Sequence, residues 1–165
     1  MRACSCGDAL VRQYRLSWDG DASHGDRSVP ESSDDQIRQL LQSVKTIAVV
    51  GASANPARAS HYVMAFLQAR GYRTIPVNPG LEGQDLLGER VYRDLAAIPV
   101  AVDMVDVFRN SDAAGPITDE AIAIGAKVVW MQLGVTNPEA AARARAAGLR
   151  VVMDRCPKIE LSRLS

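Results

Sequence analysis

Short runs of aliphatic residues recur along the chain and predict its strands. The first run, residues 46–50, is continuous and mostly β-branched, as in a strand that is buried on both faces of a sheet. Pro76 indicates that the second run lies at a sheet edge, at a bulge or at an early strand end, because proline donates no ladder hydrogen bond. The predicted strands cover residues 46–50, 73–78, 102–107, 127–132 and 149–153, with a short candidate near 90–92.

Between these runs, apolar residues recur three or four positions apart and predict four helices. Ser33 or Asp34 can cap the first helix, Ser60 can cap the second, and Thr136 with Glu139 fits a capping box for the fourth. The inner faces of the four helices show Ile37, Leu40, Leu41 and Val44; then Val63, Phe66 and Leu67; then Ile117, Ala121 and Ile124; and last an alanine-rich stretch that ends at Ala147.

Strands that alternate with helices of this length imply parallel β-α-β units with right-handed crossovers and helices on both sheet faces. We therefore predict a single α/β domain, Rossmann-like, with a doubly wound and mostly parallel sheet. Asp103 and Asp106 fall in one predicted strand but on opposite faces of it, so no paired acid–base site is expected from them.

The first 33 residues do not share this periodicity. Residues 1–35 carry four basic and seven acidic side chains, a net charge of −3, and the rest of the chain carries +3. We predict a polar, disordered extension over 1–33, followed by one domain over 34–165. Cys4 and Cys6 are too close together for a structural zinc site, so no metal site is expected.

Composition narrows the function classes further. The chain has 165 residues, 47% of them apolar and 23% charged, with 19 basic and 19 acidic side chains. Because basic and acidic side chains are equal in number, no excess of positive charge indicates nucleic-acid binding. No apolar run is long enough to cross a membrane. Three cysteines make no disulfide framework. We expect a soluble, cytoplasmic protein that binds neither nucleic acid nor membrane.

The loop after the first strand predicts a phosphate site. Gly51 allows a sharp turn and the close approach of a ligand, Ser53 and Ser60 offer hydroxyl donors, and Arg58 adds a cation. The free amides and the dipole of the helix that follows favour an anion at the same place. In an open parallel sheet, ligands bind at this carboxyl edge, where the strand order reverses.

The usual nucleotide fingerprints are incomplete. Of Gly-x-Gly-x-x-Gly only the first glycine, Gly51, is present, and the second strand ends in Asn78 and Pro79 where NAD enzymes carry an acidic residue. No Walker A sequence follows either. An ordinary dehydrogenase is disfavoured, but a small NAD(P)-binding oxidoreductase or redox sensor with an atypical glycine loop stays open as the alternative.

Four segments resemble the small CoA-binding domain family, which is similar to the N-terminal CoA-binding domain of the succinyl-CoA synthetase α subunit. The resemblance covers about residues 36–165. The segments are IAVVGASANPARASHYVMAFLQARGYRTIPVNP at 47–79, VDMVDVFRNSD at 102–112, AIAIGAKVVWMQLGV at 121–135 and ARARAAGLRVVMDRCPKIE at 142–160.

The resemblance implies coenzyme A, free or acylated, as the ligand and assigns residues in four turns to it. The first turn would hold phosphate, with Arg58 paired to the pyrophosphate or to the 3′-phosphate, and the second would flank the nucleotide. Ser60 is added because it offers a hydroxyl donor in the loop after the first strand. The expected ligand-binding residues are Gly51, Ala52, Ser53, Arg58, Ser60, Asn78, Pro79, Phe108, Arg109, Gln132 and Gly134.

The ligase activity of the synthetases is not expected to carry over. Those enzymes use a phosphorylated histidine on a second domain and a nucleotide-binding partner subunit, and the chain is too short for that domain. We predict no catalytic residue and expect a binding module, with a protein partner or self-association as a further expectation. An interaction subunit with a vestigial crevice is the third reading. Cys156, with Arg155 and Lys158 nearby, is a candidate for a mixed disulfide with the CoA thiol if it is exposed.

Overall fold

Five parallel strands form the central sheet in a computed structural model of the protein, which describes residues 33–165. The strands are β1 Thr46–Val50, β2 Arg73–Val77, β3 Asp85–Leu86, β4 Glu89–Arg90, β5 Met104–Val107, β6 Val128–Met131 and β7 Arg150–Val152. The sheet order is β2-β1-β5-β6-β7, and an antiparallel hairpin, β3-β4, stands beside it.

Five helices cover the two faces of this sheet: α1 Asp34–Ser43, α2 Ala59–Ala69, α3 Ser111–Ala123, α4 Pro138–Ala146 and α5 Pro157–Leu164. The helices α1, α2 and α5 pack on one face with residues such as Ile47, Met104 and Trp130. The helices α3 and α4 pack on the other face with Val105 and Val129. Alternate residues of each strand thus enter two separate cores, which confirms the predicted doubly wound, Rossmann-like single domain.

Helix starts agree with the sequence in part. Ser33 caps α1 in a full capping box, in which its hydroxyl accepts from Gln36 N and the Gln36 side chain accepts from Ser33 N. The prediction for the fourth helix is wrong in detail, because Asn137 rather than Thr136 caps α4 by accepting from Ala140 N. The fifth helix, α5, was not predicted at all.

The second helix also begins earlier than expected. Arg58 is the N-cap of α2 and makes no side-chain capping hydrogen bond. Ser60 therefore lies inside the first turn, where it is buried, and it is not the cap. No acidic residue lies in this first turn, so nothing in the helix itself offsets the positive end of its dipole.

The first strand has the predicted bounds, the other four strands of the sheet are shorter than predicted, and the short candidate strand is rearranged. The candidate near 90–92 overlaps the end of the β3-β4 hairpin, and Tyr92, which follows β4, meets the main sheet in an isolated bridge to Val77. The strand that contains Pro76 is an edge strand, which is one of the three positions that the sequence left open. Among residues 33–165, no helix has the length and apolar character needed to cross a membrane. The predictions for residues 1–32 lie outside the described residues.

Candidate functional site

The strand order reverses between β1 and β5. The chain passes from β1 to β2 on one side of β1, and the later strands of this sheet, β5, β6 and β7, lie on the other side of β1. The loops after β1 and β5 start next to each other at the carboxyl edge and then run in opposite directions. Such a switch point opens a crevice above the strand ends, and it is where doubly wound proteins bind their ligands. The four predicted turns follow β1, β2, β5 and β6 and lie along this edge.

The loops after β1 and β5 touch at Gly51. Its φ is +90°, and a Cβ built there would stand 2.7 Å from the Phe108 carbonyl oxygen and 3.1 Å from Arg109 Cδ. The Gly51 N–H is directed to the other neighbour, the Val77 carbonyl, at 2.9 Å. Only a residue without a side chain fits between these two strand ends.

The rest of the first loop is held by its own polar groups. Asn55 N donates to Ser53 Oγ at 3.1 Å, and Ala57 N donates to Asn55 Oδ1 at 2.9 Å. His61 Nδ1 lies 2.9 Å from the Ser53 carbonyl oxygen. The hydroxyl of Ser53 thus shapes the loop, while Arg58 stands exposed at the start of α2.

Asn78 ties the first and second turns together. Its Nδ2 donates to the Ala52 carbonyl and its Oδ1 accepts from Gly80 N, both at 2.8 Å. Pro79 then begins a short 3₁₀ turn, Pro79–Leu81. Both polar ends of the Asn78 side chain thus make a hydrogen bond within the protein.

Two cavities open on either side of the switch point, and Arg109 lines both. The first, which we call the β2-side cavity, has a volume of about 290 Å³. It is lined by Val50, Gly51, Val77, Asn78, Pro79, Arg93, Asp94, Arg109, Ala113, Pro116, Ile117 and Glu120. No local pattern singles out Arg93, Asp94 or Glu120, because their segments approach this edge only in the folded chain.

The second, which we call the α5-side cavity, has a volume of about 410 Å³ and lies between α2 and α5. It is lined by Ala59, Tyr62, Val63, Phe108, Arg109, Gln132, Leu133, Val135, Cys156, Lys158 and Ile159. The Lys158 ammonium lies 4.9 Å from the centre of the Tyr62 ring. Lys158 and Ile159 belong to the helix that was not predicted, so their helical placement beside α2 was missed.

A buried polar pair lies behind this second cavity. Gln132 Nε2 donates to Asp106 Oδ1 at 2.7 Å, and Asp106 is fully buried. Burial raises the pKa of the Asp106 carboxyl to about 8, against the opposing effect of the Gln132 hydrogen bond. Asp106 in turn contributes to a raised pKa of the Cys156 thiol, although burial of the thiol is the larger cause.

Cys156 does not show the exposed thiol considered from the sequence. It is 7% exposed, and its pKa is raised rather than lowered, even though the backbone N–H groups of Ile159 and Lys158 act in the lowering direction. A thiol in such surroundings is mostly protonated near neutral pH and is a slow nucleophile. The mixed disulfide with CoA stays a prediction.

The two cavities bring together some of the predicted binding residues and leave out others. Six line a cavity: Gly51, Asn78, Pro79, Phe108, Arg109 and Gln132. Five line neither: Ala52, Ser53, Arg58, Ser60 and Gly134. Gly134 occupies a turn at φ +77° and donates its N–H to Asp154 Oδ1 at 2.7 Å. Ligand contacts for all eleven stay predictions. Within residues 33–165, no cluster of three or more His, Cys, Asp or Glu residues could hold a metal ion.

Known proteins share this fold and much of this sequence. The chain is 39% identical to the uncharacterized protein YneT of Bacillus subtilis over 124 residues. This aligned region covers 75% of this chain and 90% of YneT. The solved structure of a Thermus thermophilus protein is 40% identical with a TM-score of 0.77, over 81% of this chain and 99% of that one. A hypothetical protein from Pyrococcus horikoshii gives the same identity and TM-score, over 80% and 92% of the two chains.

A larger enzyme contains a related domain. The structure of a dinucleotide-forming acetyl-coenzyme A synthetase from Ca. Korarchaeum cryptofilum, in complex with phosphate and ADP, is 26% identical with a TM-score of 0.57. The similarity covers 65% of this chain and 25% of that one. The family model described as "CoA binding domain" matches residues 45–162, which is most of the chain and all of the sheet. The protein therefore belongs to the CoA binding domain family.

Proposed function

We propose that the protein is a cytoplasmic binding protein for coenzyme A or acyl-CoA, without the ligase chemistry of the larger synthetases. The observation that carries this proposal is the pair of cavities joined at Arg109 across the switch point. A mononucleotide needs one such cavity. Coenzyme A, with a nucleotide at one end and a long uncharged arm at the other, can occupy two.

The charge around the switch point fits the phosphates of this ligand. Arg109 lines both cavities, Arg58 stands at the start of α2, and the N-terminus of that helix has no acidic residue to offset it. A planar guanidinium can bind two phosphate oxygens at once, and a helix N-terminus adds backbone donors. We place the phosphates between Arg58 and Arg109, with the adenosine in the β2-side cavity.

Thermal unfolding with added ligands tests the proposal. At about 100 times its Kd a ligand stabilises the fold by about 2.7 kcal/mol. For a chain of this size the Tm should then rise by about 5–10 °C. We expect this shift with CoA and none with NAD. A shift with NAD alone would overturn the proposed function in favour of an NAD(P)-binding protein, and no shift with either ligand would also contradict it.

The phosphate contact at Arg58 has its own prediction. We expect Arg58→Ala to weaken CoA binding by about tenfold or more, since a hydrogen bond to a charged group contributes roughly 1.5–3 kcal/mol. The Tm of the free protein should not change, because the Arg58 side chain is exposed and does not cap α2. Isothermal titration of both proteins with CoA measures the difference.

Arg145 is the matched control for this substitution. It is an exposed arginine on α4, on the opposite face of the sheet from α2, and it lines neither cavity. We expect Arg145→Ala to bind CoA like the wild type. Equal affinities for Arg58→Ala and Arg145→Ala would mean that Arg58 makes no phosphate contact.

A further inference from the structure

An exposed apolar patch surrounds the opening of the α5-side cavity. Among residues 33–165 five large apolar side chains are exposed, and the three most exposed of them all line this one cavity. They are Tyr62 at 45%, Leu133 at 58% and Ile159 at 48%, and we call these three residues the mouth patch. Single apolar side chains on a surface are ordinary, whereas a group around one concave opening marks an interaction site.

Positive charge stands around the mouth patch. Arg109 and Lys158 line the same cavity, and none of the described residues that line it is acidic. Arg58 is exposed at the start of α2, one helical turn before Tyr62. Within residues 33–165 none of these three cations forms an ion pair with a carboxylate. An apolar opening beside such cations suits a partner that has apolar side chains next to acidic ones.

The chain itself contains a segment of this chemistry before the described residues. Residues 10–18 include two arginines and five apolar side chains: Leu10, Val11, Tyr14, Leu16 and Trp18. Residues 19–31 follow directly with four acidic side chains and one arginine, a net charge of −3. A polar segment with a few large apolar residues can acquire order by binding a surface that it complements.

The segment joins the domain within reach of the mouth patch. It leads into Ser33, the N-cap of α1, and Arg163 near the end of α5 donates to both carboxylate oxygens of Asp34. Ile159 lies in the first turn of the same helix, which has eight residues and is therefore about 12 Å long. A flexible linker as long as residues 19–32 spans about 20 Å on average. The tether therefore allows the contact and supplies a high effective concentration.

We propose that the mouth patch is the docking surface for residues 10–31 of the same chain. The apolar side chains of residues 10–18 cover the patch, and the acidic side chains of residues 19–31 lie beside the cations. Arg58 and Arg109 are the residues that we assign to the phosphates of CoA, so the docked segment competes with the ligand for them. The competition rests on the proposed function, whereas the docking does not.

Trp18 gives a direct readout of docking in the full-length protein. The only other tryptophan, Trp130, is fully buried, so the difference between the emission spectra of wild type and Trp18→Phe isolates Trp18. We expect this emission to be blue-shifted relative to that of the urea-unfolded protein and to be quenched weakly by iodide. A Trp18 emission equal to that of the unfolded chain would overturn the proposal.

Matched surface variants locate the contact. The double substitution Leu133→Ser with Ile159→Ser should shift the Trp18 emission to that of the unfolded chain. The control is Leu87→Ser with Val100→Ser, at the two exposed apolar residues that line neither cavity, and it should leave the emission unchanged. Trp18→Phe in each background supplies the reference spectrum. Equal effects of the two double substitutions would mean that residues 10–18 do not dock on the mouth patch.

Light scattering distinguishes the chain's own segment from a second copy. We expect the mass of a monomer at every concentration at which Trp18 is shielded, and an emission that does not change with protein concentration. Shielding that appears only together with a doubled mass would mean that the mouth patch binds a second copy, and it would overturn docking within one chain.

Titration with CoA tests the competition. CoA should shift the Trp18 emission towards that of the unfolded chain. Leu10→Ser with Trp18→Ser should bind CoA more tightly than wild type, by about tenfold if the segment is docked about nine-tenths of the time. Equal CoA affinities while Trp18 is shielded would refute the competition but not the docking. Failure of both proteins to bind CoA would contradict the proposed function, and the Trp18 emission would still decide whether the segment docks.

Discussion

Gly51→Ala is expected to destabilise the protein by about 2–6 kcal/mol and to abolish CoA binding. Two costs add at this position. The φ of +90° is unfavourable for a residue with a side chain, at about 1–3 kcal/mol. The new Cβ would also stand 2.7 Å from the Phe108 carbonyl oxygen, and overpacking of this kind costs about 1–3 kcal/mol.

The collision also explains the expected loss of binding. The Phe108 carbonyl is backbone and cannot rotate away, so the ends of β1 and β5 must separate. Their separation would shift Arg109, which adjoins Gly51 and lines both cavities. Urea unfolding measures the change in stability, and titration with CoA measures the loss of affinity.

Gly83→Ala is the matched control. Gly83 has a similar φ of +79°, but a Cβ there would meet no atom within 4 Å. This variant should show the backbone strain alone, and its CoA affinity should stay at the wild-type value. If Gly51→Ala is no less stable than Gly83→Ala, the contact with Phe108 is less tight than the structure indicates.

The second large effect is the dependence of stability on pH through Asp106. Burial raises the pKa of this carboxyl from its ordinary value of 3.8 to about 8 in the folded protein. Between those two values the unfolded chain has released the proton and the folded chain still holds it. Raising the pH therefore favours unfolding, by about 1.4 kcal/mol for each pH unit and each proton. Above about pH 8 both states are ionised and the effect levels off.

Asp106→Asn removes this titration and leaves a neutral group of nearly the same shape. We expect the variant to gain stability relative to wild type as the pH rises from 5 to 8, with little further gain above 8. Urea unfolding at pH 5, 6.5 and 8 measures the difference. The same substitution at Asp85, which is exposed, is the control and should give a constant difference. A constant difference for Asp106→Asn as well would mean that the Asp106 carboxyl is already ionised in the folded protein at pH 5.

Much of the fold follows from local patterns in the sequence. The segments 46–50 and 128–131 are apolar at nearly every position because both faces of β1 and β6 are buried, and a local pattern records that directly. Pro76 limited its strand to an edge, a bulge or an early end because proline cannot donate a ladder hydrogen bond, and the structure shows the edge. The alternation of strands and helices then predicted the carboxyl edge, and with it the cluster of turns that contains Gly51.

The helix α5 shows where local pattern fails. It has eight residues, and so short a helix is marginal on its own in water. Its stability comes from other parts of the chain: Leu161 and Leu164 pack on the core shared with α1 and α2, and Arg163 donates to both carboxylate oxygens of Asp34, at 2.6 and 2.7 Å. These contacts join residues that are far apart in the sequence, so the local spacing of apolar residues does not indicate them. The α5-side cavity was missed for the same reason.

The sequence by itself determined the order of the elements, the turns of the carboxyl edge and the family to which they point, because each depends on neighbouring residues. The tertiary structure decided that Asp106 is buried beside Gln132 with one oxygen unpartnered, and that Arg109 is shared by two cavities. The burial of a side chain, the lack of a hydrogen-bond partner for a polar atom and a raised pKa all depend on which segments meet in space. They arise only when strands that are far apart in the chain pair side by side.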